Sequence, residues 1–209
     1  MVWQPEALEI RILKALASRL DTIEKDILRE KNCHEKSSIN PSSQTILNAI
    51  ETILFTLNKE KLHLEKLIHN HINQYEYLKN NNALLQTIPG VGPVLSRYML
   101  IVLGGRTFQS ASQCAAYLGL VPIQNESGSS LRGRSRISKA GSPVIRAKLY
   151  MATISALQHN PDIKIQNQRL LKNGKSKMSA LCAAMRKLVQ ICFGVIKHQQ
   201  PYHVQAKFL

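Results

Sequence analysis

Aromatic residues make up only 5% of this chain of 209 residues. A row of aromatic faces on which successive bases stack is therefore a poor reading of any binding surface it has. Cysteine is sparse and scattered: Cys33, Cys114, Cys182 and Cys192 form no Cys-x-x-Cys pair. They read as reduced, structural thiols of a cytosolic protein. The seven histidines form no ligand set. His69 and His71, two apart, fall on different sides of a helix and read as exposed, so no metal site is assigned. The opening Met1-Val2-Trp3-Gln4-Pro5-Glu6 lacks the basic stretch and apolar run of a secretory signal. No apolar stretch reads as a membrane span of roughly 18 residues, and Arg146 and Lys148 interrupt the closest ones. The expected location is the cytoplasm.

Acid is missing from one part of the chain. The sequence has 28 Lys+Arg against 13 Asp+Glu, a formal net charge of +15. Residues 1–80 are balanced, with 11 basic and 11 acidic side chains. Residues 81–209 hold the other 17 basic side chains and two acids, Glu126 and Asp162. An excess of one sign confined to one part of a chain is the electrostatic footprint of a protein that meets a polyanion. A nucleic acid is the first reading; the bland alternatives are a ribosomal or RNA partner and an anionic membrane surface.

The balanced part reads as a helical hairpin. Leu13, Leu16, Leu20, Ile23 and Ile27 recur at steps of three and four, and so do Ile46, Ile50, Ile53, Leu57, Leu64 and Leu67, with Glu60 as a polar intruder. Such narrow stripes suit a coiled coil, antiparallel within one chain or formed with a second chain. Asn32 to Ser43 reads as a polar connection, with Asn40-Pro41-Ser42-Ser43 as a helix entry. Residues 1–80 are thus expected to be a coiled-coil hairpin, either a stalk for homo-oligomers or an intramolecular cover.

The basic part, residues 81–209, is expected to be a compact helical domain, so that the whole chain is all-α. Leu85-Gln86-Thr87-Ile88-Pro89-Gly90-Val91-Gly92-Pro93 resembles the turn of a helix-hairpin-helix. Gly90 and Gly92 would allow a tight turn and close backbone approach, and Pro93 suits a first helical turn whose free amides can hold a phosphate. The same turn can be purely structural. Gly104-Gly105 ends that helix, and Ser110 caps a short one closed by Gly119. Ser142-Pro143 and Asn160-Pro161 open two more, and Met178, Leu181, Met185, Leu188, Cys192 and Val195 mark a last one, limited by Pro201.

Between these helices lies the most informative segment, the basic glycine- and serine-rich loop around Glu126-Ser127-Gly128-Ser129-Ser130-Leu131-Arg132-Gly133-Arg134-Ser135-Arg136-Ile137-Ser138-Lys139, with room for a short β-hairpin. Backbone amides, hydroxyls and guanidinium groups in such a loop can meet phosphate oxygens. Arg132, Arg134, Arg136 and Lys139, with Arg146 and Lys148 beyond, are the expected phosphate contacts. Ser127 reads as a turn residue, or as a nucleophile if a base or metal activates it.

Several separated segments, taken in order, resemble the DEDD transposases of bacterial insertion sequences, the family that includes the Piv invertase and the bridge-RNA-guided recombinases. They are Leu84 to Gly92, Ala115-Ala116-Tyr117-Leu118-Gly119-Leu120-Val121-Pro122, Glu126 to Ser130, Ser135 to Gly141, Arg146-Ala147-Lys148-Leu149-Tyr150-Met151, Asn173-Gly174-Lys175 and Met185-Arg186-Lys187-Leu188. The resemblance extends through the N-terminal helices to Trp3-Gln4-Pro5. It implies cut-and-rejoin chemistry on DNA directed by a structured guide RNA, with the residue at Ser127 attacking the DNA backbone. It also implies a RuvC-like domain whose acidic tetrad binds Mg²⁺, and no counterpart of that tetrad is found in this sequence. The expectation is a truncated transposase, cytoplasmic and nucleoid-associated, that is inactive alone and holds no cofactor of its own. The alternative is a non-catalytic nucleic-acid-binding remnant or regulator. A third option is the partner chain of a split enzyme.

Overall fold

A computed structural model describes residues 6–39, 44–127, 131–138 and 140–205, and for residues 124–135 only the backbone course of the two strands there. Trp3-Gln4-Pro5, Asn40 to Ser43, Gly128 to Ser130 and Lys139 lie outside the described residues. Among those described, eight α-helices and one two-stranded sheet make the all-α architecture that the periodicities predict. The chain divides into two compact units, Met1–Lys79 and Asn80–Leu209.

The first unit is built on α1 (Leu8–Ser38) and α2 (Gln44–Gln74), with α3 (Glu76–Gln86) beginning at its end. Contacts along the pair show that α1 and α2 run antiparallel. Near one end His71 Nε2 lies 2.8 Å from the carbonyl of Glu9, and in the middle Lys61 Nζ lies 3.3 Å from Glu24 Oε1. Toward the other end His34 Nε2 lies 3.4 Å from Glu51 Oε1. The buried line on α1 is Ile10, Leu13, Ala17, Leu20, Ile23 and Ile27. Leu16 is only half-buried, because the small Ala17 takes the seam position and lets the helices approach. On α2 the buried line is Ile50, Leu64, Ile68, His71 and Ile72, whereas Ile46, Ile53 and Leu67 are exposed. A helix at 3.6 residues per turn drifts off a strict heptad, and that drift moves the seam by one position in places. His71 is thus buried, contrary to its sequence reading, and its ring also meets Tyr75 edge-on at 5.3 Å.

The polar run Asn32 to Ser38, read as connection, is helical. Polarity alone does not end a helix, since each added residue gains a backbone hydrogen bond. The sequence has no glycine or proline from Glu6 until Pro41 to stop it.

The second unit takes in the end of α3, then α4 (Pro93–Gly105), α5 (Ala111–Tyr117), β1 (Pro122–Ser127), β2 (Leu131–Ile137), α6 (Pro143–His159), α7 (Pro161–Lys172) and α8 (Lys177–His198). Its helix starts follow local chemistry. Ser110, Ser142, Asn160 and Ser176 each accept a hydrogen bond from the amide three residues on, and Pro93, Pro143 and Pro161 occupy first turns. Helix α8 is the hub, packed against α5, α6 and α7. By length and composition its 22 residues are apolar enough to cross a membrane, which corrects the reading that no such stretch exists. Ala184, Leu188, Val189 and Cys192 are fully buried, so its apolar face is the core of this unit.

After α8 the chain returns over the unit. The Tyr202 amide donates to Thr87 Oγ1 at 2.9 Å, and the Tyr202 hydroxyl donates to Asp162 Oδ2 at 2.8 Å. The Gln205 amide donates to the same carboxylate.

Candidate nucleic-acid interface

The turn from α3 to α4 places the two glycines singled out in the sequence. Ile88 and Val91 anchor it in the core, and the Val91 amide donates to the Ile88 carbonyl at 2.9 Å. Gly90 sits at φ +95°. A Cβ on it would lie 2.5 Å from the Ala156 Cβ and 2.6 Å from the Ala156 Cα, so its bare backbone is what lets α6 pass. Asn160 Nδ2 clamps the same turn by donating to the Pro89 carbonyl at 3.3 Å. Gly92 is different: it is extended and exposed, with no atom within 4 Å of where a Cβ would be. As N-cap of α4 it stands beside the orphan amides of that helix's first turn. Gly90 is thus held by packing, while Gly92 leaves the backbone open to an approaching group.

The basic loop is an antiparallel hairpin. Pro122 pairs with Ile137, Ile123 with Arg136, Asn125 with Gly133, Glu126 with Arg132, and Ser127 with Leu131. The register is irregular between Ile123 and Asn125, where one residue on β1 faces Arg134 and Ser135 on β2. This bulge interrupts the two-residue alternation between Arg132 and Arg136. At the root the Ser138 amide donates to the Val121 carbonyl at 2.9 Å, and Gly119, at φ +73°, ends α5. Gly141 closes the hairpin against α5: a Cβ there would collide with the Tyr117 carbonyl oxygen and lie 2.8 Å from Leu118 Cα.

Not every expected phosphate contact stands in the same position. Ser127 ends β1 at the tip of the hairpin, with Arg132 and Arg134 on β2. Arg136 is exposed at the hairpin's root. Arg146 donates from Nη1 to the Gly141 carbonyl at 2.6 Å, so it braces the end of the loop from within. Lys148 is half-buried. The sequence reading missed a further set: Lys164, Arg169, Lys172, Lys175 and Lys177 are all exposed along α7 and into α8. The signal for them was the charge imbalance itself. Neighbouring acid is scarce, because Asp162 is 7% exposed and its carboxylate is taken by Tyr202 and Gln205.

Chemistry at this surface narrows by protonation state. Burial pushes the Cys114 thiol up to about 12, and burial first, then the nearby Cys114, pushes Cys192 up as well. Burial also raises Cys182. A thiol held neutral is a poor nucleophile, so these three cysteines are not set up to attack a phosphodiester. Among the described residues no three His, Cys, Asp or Glu side chains gather where a metal could sit. The described residues therefore do not fit a Mg²⁺ site of the kind the resemblance implies.

Comparison with known proteins matches residues 82–168 to the Transposase IS116/IS110/IS902 family. Over 203 residues the chain is 31% identical to the pilin gene-inverting protein of Moraxella lacunata and 30% identical to that of Moraxella bovis, covering 96% of this chain in each case. It spans 62% of the length of each of these relatives. An uncharacterized 43.6 kDa protein of insertion element IS110 from Streptomyces coelicolor is 21% identical over 167 residues, 78% of this chain and 40% of that protein. The matched residues 82–168 take in the α3–α4 turn, the basic hairpin and α6, and it is this stretch of the chain that belongs to the IS116/IS110/IS902 family of transposases.

Proposed function

We propose that this chain is the DNA-holding, serine-bearing part of a transposase or recombinase, and that Ser127 is the nucleophile of strand cleavage and rejoining. The observation that carries the reading is the hairpin. It presents Ser127 at its tip, in register beside the Glu126–Arg132 pair, on a unit that holds 17 of the chain's basic side chains and two acids. Arg132 and Arg134 bind phosphates near the serine, Arg136 binds one nearer the hairpin's root, and the amides after Gly92 hold a second backbone segment in the manner of a helix-hairpin-helix. Two of the relatives are named for inverting a gene, and the same class of strand exchange is the activity proposed for this chain.

In the cleavage step the Ser127 Oγ bonds to phosphorus and the P–O bond to one flanking sugar breaks. The serine proton passes to the departing oxygen, which leaves as a free hydroxyl, and attack by a DNA hydroxyl on the serine ester reverses the step. That exchange needs proton removal and charge stabilisation at the leaving oxygen. The chain's own arginines supply charge; the resemblance assigns metal activation to a separate RuvC-like domain. A structured guide RNA and a second copy are the further proposed partners. The second copy docks through the first unit, where Ile46, Ile53 and Phe55 stand exposed on α2.

The test uses labelled element-end DNA and its candidate RNA with the full chain, with the RuvC-like domain of an intact relative added, and a denaturing gel to trap protein–DNA adducts. An adduct that disappears in Ser127→Ala is expected. An adduct that persists in Ser127→Ala overturns the serine assignment. Replacing Arg132, Arg134 and Arg136 together by Ala should weaken binding to all sequences alike and flatten its salt dependence, by roughly one unit of slope per lost phosphate contact. A changed sequence preference at constant slope contradicts the phosphate reading.

A further inference from the structure

At the root of the hairpin, between it and the start of α8, lies an open hollow of about 750 Å³. Its size falls in the range of small-molecule clefts, about 300–1,000 Å³. Two guanidinium groups line it, Arg136 from β2 and Arg186 from α8, and no acid does. The Arg186 Nε is buried and has no hydrogen-bond partner. A buried donor left unpaired is costly, and an incoming acceptor would relieve that cost. The other walls are apolar or small. Pro122 and Ile137 stand at the hairpin root, Leu120 lies at the floor, and Met178 projects from α8 with 60% of its surface exposed. The Ser176 hydroxyl caps α8 by accepting from the Ser179 amide.

We propose that this hollow binds a single unpaired nucleotide, with Arg136 and Arg186 on its phosphate and Met178, Pro122 and Ile137 against its base. The inference rests on the nucleic-acid reading above and adds a site to it. Charge selects an anion, and the apolar wall beside the charge selects an anion that carries a flat, weakly polar body. Aliphatic and thioether groups can cover a base in place of aromatic rings, in keeping with the low aromatic content of the chain. A stacked base in a duplex cannot enter, so the occupant must be unpaired or extruded. The position fits, because Pro122 and Arg136–Ile137 lie at one end of the hairpin and Ser127 at the other. A strand followed along the hairpin from the serine reaches the hollow after about 17 Å, the length of five strand steps.

The experiment compares a 20-base-pair duplex with the same duplex carrying one unpaired 2-aminopurine nucleotide, each made as DNA and as RNA, with the full chain. The bulged form is expected to bind about tenfold tighter, a difference of about 1.4 kcal/mol, with a change in 2-aminopurine fluorescence. Arg186→Gln and Met178→Trp should each remove the preference, while affinity for the paired duplex stays within about twofold. Met178 is exposed, so its tryptophan variant fills the hollow without disturbing the core. The ribose and deoxyribose arms tell which strand supplies the nucleotide. Equal affinity for bulged and paired forms, with duplex binding intact, overturns the nucleotide site and leaves the nucleic-acid reading standing, as does a preference that survives both variants. Absence of binding to every probe overturns both.

Discussion

Replacing Gly90 by alanine separates a glycine needed by the fold from one open to a ligand. At φ +95° an L side chain is strained by about 1–2 kcal/mol. The added methyl would also lie 2.5–2.8 Å from the Cβ, Cα and N of Ala156, atoms that cannot swing aside like the end of a long side chain. Overpacking of that kind costs about 1–3 kcal/mol. Together Gly90→Ala should destabilise the second unit by about 2–5 kcal/mol, a drop in Tm of roughly 6–20 °C for a unit of this size. Gly92→Ala is the contrast. Its backbone is extended, nothing lies within 4 Å, and the change should cost about 0.5 kcal/mol through a weaker N-cap. Thermal unfolding by circular dichroism reads the stabilities, and titration with duplex DNA reads affinity. Gly92→Ala should lose affinity at nearly unchanged Tm, because a methyl there stands between the backbone and a phosphate. A Gly90→Ala protein melting within about 2 °C of the parent would refute the packing argument. Unchanged DNA affinity in Gly92→Ala would refute the assignment of that turn to phosphate binding.

Leu20→Asp should cost several kcal/mol and lower the helical signal, since Leu20 is 3% exposed between α1 and α2, whereas Leu16→Asp at a half-buried position should cost distinctly less. Equal effects by circular dichroism and sedimentation would place the seam elsewhere. Burial first, then the Asp162 carboxylate, raises the Tyr202 hydroxyl above its ordinary value of 10. The folded chain therefore keeps a proton that the unfolded chain releases, so this stability is complete below pH 10 and is lost as pH rises beyond it. Tyr202→Phe should destabilise by about 1–3 kcal/mol near neutral pH and blunt that alkaline loss. An identical alkaline profile in the variant would show that another group controls it.

Much of the second unit was legible residue by residue. Ser110, Ser142-Pro143 and Asn160-Pro161 marked helix starts because capping is a contact within four residues, and Gly104-Gly105 and Gly119 marked ends for the same reason. The two stripes of the first unit were legible as helices, but not which turns faced the partner, because a one-position choice between Leu16 and Ala17 depends on how closely two helices pack. His71 was misread since nothing local foretells that the carbonyl of Glu9, 62 residues earlier, will meet its ring. Likewise α8 read as an ordinary amphipathic helix, and only its packing made it the hub.

The functional surface divides along the same line. The amino-acid sequence alone determined the sign and the address of the charge, the presence of Ser127 in a basic Gly/Ser segment, and the family, because these are properties of composition and order. The tertiary structure decided the roles. It set Gly90 against Ala156 and left Gly92 open, although the two glycines are two residues apart. It turned Arg146 inward to the Gly141 carbonyl and brought Arg186 beside Arg136 across fifty residues of chain. Gly90 with Ala156 and Arg136 with Arg186 join segments distant in sequence, while Arg146 turns to a carbonyl five residues back; a guanidinium becomes a brace or stays open to an incoming acceptor according to what the fold brings within hydrogen-bonding range.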